Sequence, residues 1–120
     1  MSAPKRIQLR RTKGWRKPEG AIVVARPSRW GNPYRVVSDG RLFTVRTDDS
    51  TIGSFERLDG NGTGARHWAV QGYRLHLSRH PEMAIAARIK LRGHDLACWC
   101  QLDQPCHADV LLELANGEVE

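Results

Sequence analysis

The stretch LRGHDLACWCQLDQPCHADVLLELAN, from Leu91 to Asn116, carries the clearest fold signal in the chain. An apolar run over Leu96–Trp99 is followed by a polar loop that ends at Pro105, which predicts a short buried strand and a turn. After Pro105, apolar residues recur at helical spacing until Asn116-Gly117, a typical helix stop. The sequence therefore predicts a strand, a loop and a helix.

All the cysteines of the chain, Cys98, Cys100 and Cys106, lie in this unit, and three interpretations of them stay open. In the first, the three cysteines and His107 bind Zn²⁺, for which thiolates and an imidazole are suitable ligands. In the second, Cys106 at a helix N-terminus is a thiolate nucleophile and His107 is its catalytic partner. In the third, the cysteines are small apolar core residues and His107 caps the helix. We favour the core interpretation for Cys98 and the catalytic pair for Cys106 and His107.

A second signal begins with AIVVA, Ala21–Ala25, a run typical of a central parallel strand that is buried on both faces. It leads into RPSRWGNPY, Arg26–Tyr34, where two prolines, a glycine and an asparagine predict an ordered turn. Arginine in such a turn suits bidentate recognition of phosphate or carboxylate. Asn32 could read a base edge or a ribose hydroxyl, or could close the turn. The candidate ligand-binding residues of the turn are Arg26, Ser28, Arg29, Trp30 and Asn32.

Together, RPSRWGNPY and the CWC-x5-CHADVLLELAN pattern resemble a family of short bacterial and phage proteins, domain of unknown function 4326. The resemblance covers roughly Ile22 to Asn116. The tail is also similar to a second uncharacterised bacterial family, in which Glu stands at the position of Cys100 and Arg at that of Ala108. The resemblance implies a fold and a site, but no substrate and no reaction.

The segments between these two signals predict a hairpin and two helices. Two segments, 34–37 and 41–45, are separated by Ser38-Asp39-Gly40, and the Asp-Gly pair favours a β-hairpin turn between them. Residues 46–64 are rich in Gly and Asp and predict a long loop, which is a candidate lid. Residues 65–91 predict two helices separated at Pro81.

Charge is concentrated at the front of the chain. The 120 residues carry a net charge of +6, and seven basic residues but no acidic one lie between Lys5 and Lys17. Such a segment favours polyanions, nucleic acid above all, although it could equally serve solubility. Trp15, flanked by Lys13 and Arg16, could stack on a base or sugar, or could cover the core.

We expect a single compact α/β domain with a small, mostly parallel sheet flanked by helices, a β-hairpin and a long loop. The predicted division is a basic N-terminal segment at 1–20, the domain at 21–116 and a tail at 117–120. No apolar run approaches 18 residues, so no membrane span or membrane partner is predicted. Three cysteines are an odd count that suits a reducing compartment, the cytoplasm of a bacterium or of a phage-infected host cell.

The two buried strands lead to a prediction about the site. If they are parallel neighbours, their carboxyl ends lie at one edge of the sheet, and Arg26, Arg29 and His107 line one anion site. The predicted function is therefore binding of a nucleotide or nucleic-acid phosphate in a cleft between the Arg26–Tyr34 turn and the Cys98–His107 loop. Hydrolysis or transfer at a sugar or base would be an added activity, and enzyme status is left open. The alternative is a zinc-stabilised nucleic-acid-binding module without catalysis.

Overall fold

A computed structural model describes residues 4–38, 42–47, 51–56 and 63–117. The described elements form two small sheets and three helices, which confirms the predicted α/β class. In chain order they are β1 (Arg6–Gln8), β2 (Ile22–Val23), β3 (Arg35–Ser38), β4 (Leu42–Arg46), β5 (Thr51–Glu56), α1 (Thr63–Arg79), α2 (Pro81–Lys90), β6 (Leu96–Cys98) and α3 (His107–Asn116).

The parallel sheet has the order β1-β6-β2, with β6 in the middle. Ala97 pairs with Ile7 on one side and with Val23 on the other. Because β6 has a strand on each side and lies inside the core, all three of its residues are buried. The parallel pairing of β2 with β6 confirms that their carboxyl ends share one sheet edge. β1 lies within the basic N-terminal segment, so part of that segment belongs to the sheet.

The prediction that Ala21–Ala25 is a central strand buried on both faces is wrong. Only Ile22–Val23 forms a strand, and among the described strands it lies at an edge of the sheet. Val24 is fully buried, whereas Val23 is 38% exposed. An apolar β-branched run indicates contact with a core, but it does not show whether strands pair on one side or on two.

The second sheet is antiparallel, with the order β3-β4-β5. The pairing of β3 with β4 confirms the hairpin, whose turn at 39–41 lies outside the described residues. The predicted loop over 46–64 is wrong for Thr51–Glu56, which pairs with β4 as β5. The β-branched and aromatic residues of TIGSFE favour a strand, but the glycines and aspartates around them dominated the sequence pattern. The rest of the lid prediction, at 48–50 and 57–62, lies outside the described residues.

Helix α1 packs against the cores of both sheets. Ala65 and Ala69 pack with Phe43 and Val45 of the antiparallel sheet. Farther along the helix, the fully buried Tyr73 belongs to the larger core around β6. The break before α2 is at Pro81, as predicted, because proline is tolerated in the first turn of a helix but not inside one. No helix in the described part of the chain is both long enough and apolar enough to cross a bilayer.

Candidate metal centre and anion-binding cavity

The side chains of Cys98, Cys100 and Cys106 converge on one point, and we call them the thiol cluster. Cys98 ends β6, Cys100 lies two residues beyond it, and Cys106 is the N-cap of α3. Their three sulfur atoms lie within 4.8 Å of one another. The sulfurs of Cys98 and Cys100 are 3.8 Å apart. A tetrahedral Zn²⁺ with Zn–S bonds of about 2.3 Å separates two sulfurs by about 3.8 Å, which matches the Cys98–Cys100 distance.

His107 is the fourth predicted metal ligand, and the structure gives it a defined orientation. Its Nε2–H donates a 2.7 Å hydrogen bond to the carbonyl oxygen of Val24, which can only accept. A neutral ring therefore presents the unprotonated Nδ1 on its other side, 3.9 Å from the sulfur of Cys106. The ring is buried and meets Tyr73 edge-on. His107 is therefore oriented to bind a metal through Nδ1.

The acidity of the thiols differs from the sequence-based expectation. The structure does not favour Cys106 as the thiolate expected at the helix start, because hydrogen bonds to the Cys100 and Cys98 thiols, together with burial, raise the pKa of Cys106. Hydrogen bonds from the thiols of Cys100 and Cys106 instead lower the pKa of Cys98 to about 2. The hydrogen bonds within the cluster thus favour the charged form of Cys98, and the catalytic role assigned to Cys106 stays a prediction.

A cavity of about 280 Å³ opens beside the thiol cluster. Three arginines also line it: Arg26 follows β2, Arg35 begins β3, and Arg66 lies in the first turns of α1. We call it the arginine cavity. None of the described residues lining it is acidic. Arginine side chains bind anions through paired N–H donors, so this lining is compatible with an anionic ligand.

Two of the predicted site residues from opposite ends of the chain, Arg26 and His107, both line the arginine cavity, as the parallel pairing of their strands requires. The other predicted anion ligand, Arg29, does not line it, and its guanidinium lies 4.7 Å from the Trp30 ring centroid. Trp30 itself is buried in the core. The turn therefore contributes one arginine to the cavity instead of two.

The structure places three further residues that were predicted to bind the ligand, and only one of them lines the cavity. The Asn32 side chain accepts a hydrogen bond from the Tyr34 N–H and donates one to the Ala69 carbonyl oxygen, so it closes the turn and ties it to α1. Asn32 also lines the cavity. Ser28 does not, and its hydroxyl is buried with no hydrogen-bond partner among the described residues. Trp15 is half-buried against the core and lies outside the cavity lining.

A family model described as Domain of unknown function (DUF4326) matches residues 7–117. The chain belongs to this family. The match includes both the RPSRWGNPY turn and the cysteine motif and confirms the resemblance expected from them. No curated protein and no solved structure gives a significant match. Because the DUF4326 description names no activity, the function has to be inferred from the geometry of the site.

Three residues that line the candidate site were not predicted from the sequence, namely Arg35, Arg66 and Trp99. Arg35 directly follows the RPSRWGNPY motif, and Trp99 lies between two of the clustered cysteines. Their positions next to predicted site residues could therefore have indicated that they belong to the site. Arg66 gave no such signal, because it reaches the cavity only through the packing of α1 against the antiparallel sheet.

Proposed function

We propose that this protein binds Zn²⁺ at the thiol cluster and binds a phosphate group of a nucleotide or nucleic acid in the adjoining arginine cavity. One observation carries the proposal. Cys98, Cys100 and Cys106 converge at the wall of a cavity that three arginines also line. The proposal combines a thiolate metal centre with an anion site, and it includes no catalytic step.

The chemistry of the thiol cluster supports zinc over other divalent ions. Soft thiolates select Zn²⁺, whereas Mg²⁺ and Ca²⁺ prefer oxygen ligands. The three cysteines are free thiols, which a reducing compartment such as the cytoplasm maintains. Cys98, Cys100 and Cys106 would hold the ion, and His107 Nδ1 or a molecule in the cavity would supply a fourth ligand. The ion would link β6, its following loop and the start of α3.

The arginines of the cavity support an anionic ligand. Arg26, Arg35 and Arg66 all contribute to its lining, and none of the described lining residues is acidic. Nη1 of Arg26 also donates a 3.3 Å hydrogen bond to the carbonyl oxygen of Asn32, and this bond holds the guanidinium at the cavity wall. Guanidinium groups bind phosphate through paired N–H donors, and α3 begins at the same wall with the positive end of its dipole.

The described lining residues favour binding over catalysis. General acid–base chemistry needs a side chain that exchanges a proton near neutral pH, usually a histidine or a carboxyl group. No carboxyl group is found among the described residues of the lining. The Nε2–H of His107 is engaged with the Val24 carbonyl oxygen. The observed groups of the lining therefore suffice for recognition, and the proposal assigns no reaction to them.

The zinc part is tested by the metal content of protein purified without a metal-affinity step. We expect close to one zinc per chain, and a loss of most of it in Cys98→Ser and Cys106→Ser. His80→Ala is the control, because His80 lies on the surface at the α1–α2 junction, away from the cluster. Zinc-free wild-type protein, or equal zinc in the serine variants, would contradict this part.

The anion part is tested by a pair of arginines from the same turn. Arg26 lines the arginine cavity and Arg29 does not. We expect Arg26→Gln to weaken binding of adenosine 5′-monophosphate by roughly 10- to 100-fold, as loss of a charge-assisted hydrogen bond does. Arg29→Gln should bind like the wild type. Calorimetric titration measures both, and equal effects of the two substitutions would argue against the assigned cavity.

A further inference from the structure

We infer that the ligand of the arginine cavity is a nucleoside phosphate whose base stacks on Trp99. The inference rests on the proposed phosphate site and narrows it, because it excludes inorganic phosphate and simple sugar phosphates as preferred ligands. It depends on a second cavity, on the exposure of Trp99 and on a cation held against its ring.

The second cavity adjoins the first. It has a volume of about 420 Å³, and its wall includes Arg66, Trp99 and Cys100, which also line the arginine cavity. One molecule can therefore extend from one cavity into the other past these shared side chains. Small-molecule sites usually measure about 300–1,000 Å³, so the second cavity has room for a nucleobase.

Trp99 is placed to provide an aromatic surface between the two cavities. It is 46% exposed, although both of its neighbours in the CWC motif belong to the largely buried thiol cluster. An exposed indole has an apolar face that water solvates poorly, and nucleobases stack on such faces whatever their sequence. The position of Trp99 is fixed by the adjacent cysteines, so a metal at the cluster would also hold the indole in place.

A cation already lies on this ring. The guanidinium carbon of Arg11 is 4.9 Å from the centroid of the Trp99 ring. This cation–π contact places one residue of the basic N-terminal segment against the indole. A combination of aromatic and cationic groups is the usual surface on which proteins bind unpaired nucleotides.

The remaining wall of the second cavity suits a base better than a sugar or a second phosphate. Its other lining residues are Gln101, which is exposed, and Gln104, which is buried, and neither side chain is charged. Carboxamides both donate and accept hydrogen bonds, as the edges of nucleobases do. Arg66 lines both cavities, whereas Arg26 and Arg35 line only the arginine cavity. The second cavity thus suits an uncharged base, and the arginine cavity suits the charged phosphate of the same nucleotide.

The experiment compares adenosine 5′-monophosphate, uridine 5′-monophosphate, ribose 5-phosphate and inorganic phosphate on the wild type and on Trp99→Ala. Both nucleotides should bind the wild type roughly 5- to 150-fold more tightly than ribose 5-phosphate, the range that base stacking of about 1–3 kcal/mol gives. Trp99→Ala should remove this advantage, so it should weaken nucleotide binding by this factor and affect ribose 5-phosphate binding much less. Trp99→Phe should restore part of it.

Trp68→Ala is the matched control, since Trp68 is also an exposed tryptophan but lines neither cavity. Nucleotides that bind no better than ribose 5-phosphate would overturn the base site while leaving the phosphate site intact. An equal loss for all four ligands in Trp99→Ala, with zinc content and circular dichroism unchanged, would also overturn it. Failure of every ligand to bind the wild type would overturn the phosphate site as well.

Discussion

Gly31 shows how one small residue shapes the arginine cavity. A Cβ atom at this position would lie 2.6 Å from Arg26 Cγ and 3.0 Å from Arg26 Cα. The side chain and the backbone of Arg26 therefore occupy the space that any larger residue would need. Glycine at position 31 allows Arg26 to reach the cavity wall.

We predict that Gly31→Ala destabilises the protein by about 1–3 kcal/mol, the usual cost of overpacking, and weakens adenosine 5′-monophosphate binding because Arg26 moves. Gly64→Ala is the control. Gly64 lies in α1, where a Cβ atom would meet nothing within 4 Å, so alanine there should be neutral or stabilising by up to about 1 kcal/mol. Urea unfolding measures the stability of both variants. Equal stability of the two variants would show that the close approach to Arg26 is unimportant.

Single residues were predictable where chemistry and local pattern coincided. Cys98 and Cys106 were recognisable as a possible metal set because of their residue type and close spacing, and Arg26 because it follows an apolar run. Arg29 has the same chemistry three residues later, but the course of the turn takes it out of the cavity. The direction of a side chain in an irregular turn depends on packing that sequence spacing does not encode.

At the scale of elements, Arg6 connects the edge strand β1 to the loop that carries the thiol cluster. Its Nη2 donates hydrogen bonds to the carbonyl oxygens of Gln101 at 3.3 Å and Leu102 at 2.7 Å. Its Nη1 lies 3.5 Å from a carboxylate oxygen of Asp109 in α3. The side chain is only 9% exposed, so these contacts are partly shielded from water.

We predict that Arg6→Met, which keeps much of the side-chain length, lowers the free energy of unfolding by about 1.5–3 kcal/mol, because it removes charge-assisted hydrogen bonds. It should also weaken zinc binding, since the loop between β6 and α3 loses its tie to β1. Arg10→Met, at an exposed position nearby in sequence, should change neither property. Chemical denaturation and competition with a zinc chelator measure the two effects. A stable, zinc-replete Arg6→Met variant would contradict the prediction.

The elements differ in how far the sequence predicted them. The unit of β6, loop and α3 was predictable, because an apolar run, a polar turn and a helical period follow one another without ambiguity. The edge position of β2 was not, since a β-branched run looks alike in edge and central strands. β5 was missed because its six residues are surrounded by turn-forming residues, and its pairing with β4 depends on tertiary contacts.

At the scale of the whole molecule, the charge distribution bears on how the proposed ligand is attracted. The front segment carries the exposed basic residues Arg10, Arg11 and Lys13, and Arg11 lies over the Trp99 indole. This contact brings one residue of the basic segment against a residue that lines the arginine cavity. A longer single strand would place phosphates beyond its first nucleotide along this segment.

We predict that binding of a 5′-phosphorylated single-stranded oligonucleotide weakens steeply as salt rises. Replacing Arg10, Arg11 and Lys13 by glutamine should reduce the slope of log K against log[salt] by about 2, because each phosphate contact on a single strand contributes roughly 0.7. The charge-matched control replaces Arg79, Arg88 and Lys90, exposed residues of α1 and α2. A salt-independent affinity, or the same slope change in the control, would show that the front segment does not contact nucleic acid.

The most direct test of the account is X-ray absorption at the zinc edge of the purified protein, because it counts the ligand atoms of the ion. The account predicts three sulfur ligands at about 2.3 Å and one nitrogen or oxygen ligand at about 2.0–2.1 Å. Cys100→Ser, which changes one member of the thiol cluster, should reduce the sulfur count by one. A spectrum with only nitrogen and oxygen ligands, or a protein that retains no zinc, would contradict the account.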